Sequence, residues 1–156
     1  MLNRRALLSR TVSHSAAVAT LLATAGLLPQ AAQAADNTAA FEAKTLADLF
    51  KALGAGTPTE SKDVAISGPD IAENGAVVPV GVSTTLAGVK KLLVLVEKNP
   101  SVLSAMFDVS DAVDANFATR VKMSQSSNVY AVALMADGKV LFAQKEVKVT
   151  LGGCGG

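Results

Sequence analysis

From residue 63 onward the chain is cut into short apolar runs, most of them bounded by glycine, proline, asparagine or aspartate. That punctuation limits the possible folds more than any other feature, because it reads as strands joined by turns. Residues 63–67 alternate through Val64 and Ile66. Residues 76–82 make a second run, in which Pro79 cannot donate to a ladder and so marks an edge or a bulge. Residues 92–96 are continuously apolar and fit a buried strand, and 102–109, 117–124, 129–136 and 140–150 complete the series. Asp137-Gly138 between the last two runs is a two-residue hairpin signal. Seven or so strands over about 62–151 predict a mainly β chain, an immunoglobulin-like antiparallel β-sandwich, with no cysteine pair to staple its sheets.

Ahead of the strands, residues 38–53 read as one helix. Leu46, Leu49, Phe50 and Leu53 fall on one face at helical spacing, and Gly54 is placed to terminate it. Thr57-Pro58-Thr59 then closes the segment. The apolar stripe is expected to pack against the domain.

Residues 1–34 read as an export signal that is cleaved. Arg4 and Arg5 supply a positive start, residues 16–28 are mostly apolar and uncharged, and Ala32-Gln33-Ala34 is an A-x-A cleavage site. The apolar run is shorter than the ~20 residues a bilayer span needs. Asn3-Arg4-Arg5-Ala6-Leu7-Leu8-Ser9 resembles the twin-arginine pattern, although an ordinary secretory signal can also begin with two arginines. The expected destination is the periplasm, with residues 35–151 as the mature domain. Removing the signal takes Arg4, Arg5 and Arg10; the eleven remaining cations against thirteen acids give a net charge of −2. No basic field is left for nucleic acid or acidic lipid. His14, the single histidine, leaves with the signal, which excludes a histidine triad, a histidine general base and a histidine metal site.

The given sequence closes on Leu151-Gly152-Gly153-Cys154-Gly155-Gly156, and Cys154 is its single cysteine. Val147, Val149 and Leu151 lie on one side of the final strand, so order is expected to last until about Leu151. Gly152, Gly153, Gly155 and Gly156 have no side chains and wide backbone freedom, and they predict a thin, flexible arm over 152–156. Five extended residues reach ~17 Å. Such an arm can thread a thiol into a narrow tunnel in another protein. One thiolate without histidine cannot assemble a tetrahedral metal set. A thiol with no histidine or helix terminus beside it titrates near ~8.5, leaving a few per cent thiolate at neutral pH. Lys145 and Lys148 on the preceding strand offer only slight help. The thiol therefore suits a covalent handle worked by other enzymes, with no catalysis and no cofactor of its own. The alternative is an exported binding or structural protein whose Cys154 forms an intermolecular disulfide.

With these residues in view the chain resembles the SoxY family, the sulfur-carrying subunit of the periplasmic thiosulfate-oxidising Sox system. The Gly-Gly-Cys-Gly-Gly motif carries the resemblance, together with the internal run "IAENGAVVPV" at 71–80, which is similar to the family's most recognisable internal stretch. The resemblance implies a heterodimer with a SoxZ-like subunit. It also implies transient contacts with a haem enzyme (SoxAX) that joins thiosulfate to the cysteine. A manganese-dependent hydrolase (SoxB) would then release sulfate, and a sulfane dehydrogenase (SoxCD) would oxidise the remaining sulfur. Cys154 carries over as the sulfur attachment point and the four glycines as the arm. Within the internal run, Asp70, Glu73 and Asn74 suggest either a metal or acid pair, or simply a turn at Asn74-Gly75, and the turn is the simpler expectation. The run at 76–82 beside it is a candidate edge for pairing with the partner.

Overall fold

Thr45 decides where the polypeptide turns helical. Its backbone is extended (φ −128°, ψ 156°), and its hydroxyl accepts a hydrogen bond from the Asp48 amide at 3.1 Å and donates one to the Asp48 carboxylate at 2.7 Å. That is an N-cap, and it satisfies an amide that a first helical turn otherwise leaves open. Helix α1 therefore spans Leu46–Ala52. The computed structural model describes residues 38–151; the expected export signal and glycine arm lie outside the described residues. Residues 38–41 are helical, but the single helix expected over 38–53 is interrupted at 42–45, because the extended Thr45 cannot continue a helix. The interruption is put to use. The Ala43 carbonyl accepts from the Val102 amide at 3.0 Å, and the Phe41 carbonyl accepts from the Ser101 hydroxyl, tying this segment to the sheet beneath. Gly54 ends α1 as expected, at φ 60°, with the Ala55 amide reaching back to the Phe50 carbonyl at 2.9 Å.

Nine strands follow among the described residues: β1 (Pro58–Glu60), β2 (Val64–Ser67), β3 (Ile71–Asn74), β4 (Val78–Thr84), β5 (Val89–Val96), β6 (Leu103–Asp108), β7 (Asn116–Val121), β8 (Ser127–Met135) and β9 (Val140–Leu151). They form a sandwich. One sheet runs β1-β9-β8-β5-β6 with β3 added to β9, and the other runs β2-β4-β7. Apart from β1 and β3, every pairing is antiparallel. The expected mainly β, immunoglobulin-like sandwich is what forms, with one difference: β1 and β3 each join β9 in parallel. Both lie along the same edge of β9. The Phe142 carbonyl accepts from Ser61 and the Lys148 amide donates to Asp70, and two even-numbered residues of one strand point to the same side.

The continuous apolar run of β5 is explained by burial on both faces. Leu92, Val94 and Val96 face the small sheet, in a core with Val78, Val80, Val82, Val129, Ala131 and Val147. Leu93 and Leu95 face the other way, into a second cluster with Leu49, Val132 and Val140 that α1 covers. The helix stripe thus packs on the outer face of the large sheet, as its spacing predicts.

Two local expectations need correction. The hairpin at Asp137-Gly138 forms, but Met135 and Lys139 close a three-residue loop, and only Gly138 has positive φ (85°). A type I turn followed by a left-handed glycine meets that geometry, where a two-residue loop of the I′ type needs positive φ at both positions. The run at 76–82 is not a free edge for a partner. β4 lies between β2 and β7, and Gly81 and Val82 are paired on both sides. Pairing with β2 stops at Gly81, so at Pro79 the strand has β7 alone beside it, and a missing amide there is tolerated. No helix among the described residues is long and apolar enough to cross a membrane.

Candidate functional site at the end of the last strand

The last strand is held by different neighbours along its length. From Val140 to Val147 it pairs with β8, and the final pair is Ser127 with Val147. Beyond that point β8 has ended. β3 takes over on the opposite edge, in parallel, with Ile71 beside Lys148, Ala72 beside Val149 and Asn74 beside Leu151. The Lys148 amide donates to the Asp70 carbonyl at 2.9 Å, and the Leu151 carbonyl accepts from the Gly75 amide at 2.8 Å. On the side that β8 has vacated, the Ser126 hydroxyl accepts from the Val149 amide at 2.9 Å. Residues 148–151 therefore remain strand only because another part of the chain replaces β8.

Side chains reinforce the change of partner. Lys145 Nζ donates to the Gly68 carbonyl at 2.6 Å and pairs with Asp70 Oδ1 at 2.8 Å. The Thr150 hydroxyl donates to the Glu73 carbonyl at 3.0 Å. The hydrogen bond from Lys145, and then its charge, hold the Asp70 carboxyl below its ordinary value of 3.8. Asn74 Oδ1 accepts from the Ala76 amide at 2.9 Å, and the Gly75 carbonyl accepts from Met123 at 2.7 Å. Gly75 thus joins the end of β9 to the segment that follows β7. Asn74-Gly75 is the expected turn. The carboxylate of Asp70 is taken by Lys145, and Glu73 contributes its backbone carbonyl, so these residues act as a fastening and do not converge as an acid pair.

Cys154, Gly152, Gly153, Gly155 and Gly156 lie outside the described residues; Leu151, the last described, is exposed at the tip of β9. Lys145, expected to assist the thiol slightly, is committed to Asp70 and Gly68 instead. The fastening by β3, Ser126 and Thr150 was not foreseen from the sequence. A signal for it existed in Val64-to-Asn74 spacing that allows two short strands, but four residues of which only Ala72 is buried are too few to read. Two hollows lie elsewhere. One, of about 510 Å³, opens at the far end of the sandwich between the loops after β4 and β6, lined in part by Thr84, Ser110 and Asp114. A groove of about 440 Å³ runs between α1 and the outer sheet face, past Phe50, Tyr130 and Phe142. Neither includes a residue of the β3–β9 junction.

The family described as sulfur oxidation protein SoxY matches residues 50–154. Among solved structures, the sulfur carrier protein SoxY from Chlorobium limicola f thiosulfatophilum matches with a TM-score of 0.59 and 34% identity, covering 66% of this chain and 93% of that one. Superoxide reductase (neelaredoxin) from Ignicoccus hospitalis gives a TM-score of 0.47 at 20% identity, over 55% of this chain and 79% of that one. A variant of the same reductase gives 0.49 at 18% identity, over 55% and 78%. A search of curated protein sequences finds no match.

Proposed function

The chain belongs to the SoxY family of sulfur oxidation proteins, and from that premise we propose that it carries sulfur covalently on the Cys154 thiol in the periplasm. The observation that carries the proposal is the family match reaching Cys154, three residues beyond Leu151, the last described residue of β9. A carrier needs a rigid body that partner enzymes can recognise and a reactive group held away from it. Glycine on both sides keeps the tether slim enough for an enzyme tunnel.

The chemistry balances without a cofactor on this chain. In loading, the thiol sulfur and the outer sulfur of thiosulfate form an S–S bond. The thiol proton is released, and two electrons pass to a haem-containing partner of the SoxAX type. In unloading, water attacks the sulfonate sulfur on a SoxB-type hydrolase. Sulfate leaves with the water oxygen, and the other sulfur stays on Cys154 as a persulfide. A SoxCD-type dehydrogenase would oxidise that sulfur further. The chain itself binds and presents the group; activation of the thiol belongs to the partners, because a lone thiol is mostly protonated at neutral pH. A SoxZ-like subunit completes the carrier as a heterodimer.

The test is thiosulfate-dependent cytochrome reduction in a system reconstituted with the partner enzymes. Cys154→Ser is expected to abolish turnover while leaving the thermal unfolding curve in place. Equal turnover by the serine variant would refute the carrier. Loss of nothing but a disulfide-linked dimer on a non-reducing gel would favour a structural cysteine.

A further inference from the structure

We propose that the segment from Gly68 to Gly75 is a clasp that sets the tether length and exit direction of the carrier arm. The proposal rests on the covalent-carrier reading above, and it concerns residues to which that reading gives no role.

Without the clasp, β9 would end earlier. Its last pair with β8 is Val147 with Ser127, so a ladder made by β8 alone would stop at Val147. Strand residues without a neighbour on either edge expose unpaired amides and carbonyls and fray. With β3 in place, pairing continues to Leu151, closed by the Gly75 amide on the Leu151 carbonyl. Cys154 then follows Leu151, the last residue of this pairing, by three residues; without the clasp it would follow Val147 by seven. Extended, these tethers reach ~10 Å and ~24 Å. Effective concentration of a tethered group falls roughly as the −3/2 power of tether length, so lengthening from three to seven residues dilutes the thiol at a docked enzyme about 3–4-fold.

The polar side chains are arranged to hold this one junction. Lys145 reaches across to Gly68 and Asp70 at the start of β3, Thr150 holds Glu73 near its end, and Ser126 covers the Val149 amide on the other side. Gly68 approaches β4 closely: a Cβ there would sit 3.3 Å from the Pro79 carbonyl, so the small residue lets the clasp lie against the sandwich. Thr150 and Asp70 are exposed, so their partners add little to global stability. Bonds that contribute little to the whole fold, yet converge on Lys145, Val149 and Thr150 of one strand, are suited to a local positioning task.

The test combines amide exchange with kinetics, using the full chain in its complex with the SoxZ-like subunit. Lys145→Met, Thr150→Val and Ser126→Ala are made together, and Thr150→Val also alone as a milder variant that keeps the fold. Each lost side-chain bond shifts a local opening equilibrium by roughly 2–10-fold. Exchange at the Lys148 and Gly75 amides is therefore expected to speed up roughly 30-fold or more in the triple variant, with exchange at Val94 unchanged. The KM for the carrier with the processing enzymes should rise about 3–4-fold, while kcat and the reaction of Cys154 with a small thiol reagent stay at wild-type values. Thr150→Ser should restore both readouts relative to Thr150→Val. Unchanged exchange at Lys148 would overturn the clasp, as would faster exchange with unchanged KM. Failure of the carrier reading looks different: turnover would then be indifferent to Cys154→Ser, whatever the exchange rates do.

Discussion

Strand β5 has its two faces in two separate cores, and that arrangement makes a quantitative prediction about α1. Leu49 is fully buried and shares its cluster with Leu93, Leu95, Val102, Val132 and Val140. Truncating a buried leucine to alanine forfeits its transfer free energy and leaves a cavity, typically 2.7–5 kcal/mol in total. The seven-residue α1 lies on an outer face and can settle toward the sheet, so the low end applies. Leu49→Ala should cost about 3 kcal/mol, a large part of the roughly 6–15 kcal/mol available to a domain of this size. The midpoint of thermal unfolding should fall by roughly 10–15 °C. A double-mutant cycle then separates the cores. Leu49→Ala and Leu95→Ala line the same cluster, and their losses should depart from additivity by roughly 1 kcal/mol. Leu49→Ala and Val94→Ala act on opposite faces of β5 and should add to within about 0.5 kcal/mol. Chemical denaturation monitored by circular dichroism measures the three single and two double variants. A cost for Leu49→Ala below about 1 kcal/mol, the range of surface substitutions, would show that α1 does not cover the sheet.

The Asp70–Lys145 pair makes a pH prediction. Because Lys145 lowers the Asp70 pKa in the folded protein, the pair's contribution is fully present above the ordinary value of 3.8 and is lost as pH falls through the lowered one. Carboxyl titration by NMR should place Asp70 below 3.8, and in Lys145→Met the midpoint should return toward that value. For the arm, Gly152→Val with Gly153→Val should leave unfolding unchanged and sharply reduce turnover with the processing enzymes, because β-branched residues stiffen and widen the tether. Reaction of Cys154 with a small thiol reagent should stay at the wild-type rate; normal turnover would remove the reason given for the glycines.

What was legible in the sequence followed from periodicity. The alternation in β2 and β9, the unbroken apolar run of β5 and the stripe on α1 each report burial directly, and burial is what the fold realises. What was missed depends on neighbours distant in sequence. β1 and β3 are three and four residues long, and each becomes strand only by lying against β9, so their own patterns carry little information. The break before α1 had a local signal, the threonine of Thr45-Leu46-Ala47-Asp48 capping its own helix, but the apolar spacing across residues 38–53 obscured it. That β9 reaches Leu151 was readable from Val147, Val149 and Leu151. Its cause was not: β8 stops at the register of Val147, and the run containing Asn74-Gly75 supplies the continuation.

The central claim is that Cys154 holds sulfur, and intact mass spectrometry measures this most directly. The protein is incubated with thiosulfate and the oxidised haem partner, quenched without reductant, and mapped to its C-terminal peptide. Cys154 is expected to gain an S2O3 group, replaced by a single added sulfur atom once the hydrolase is supplied, with no such adducts in Cys154→Ser. An unmodified thiol throughout, or Cys154 found only in a disulfide between two copies of the chain, would contradict it.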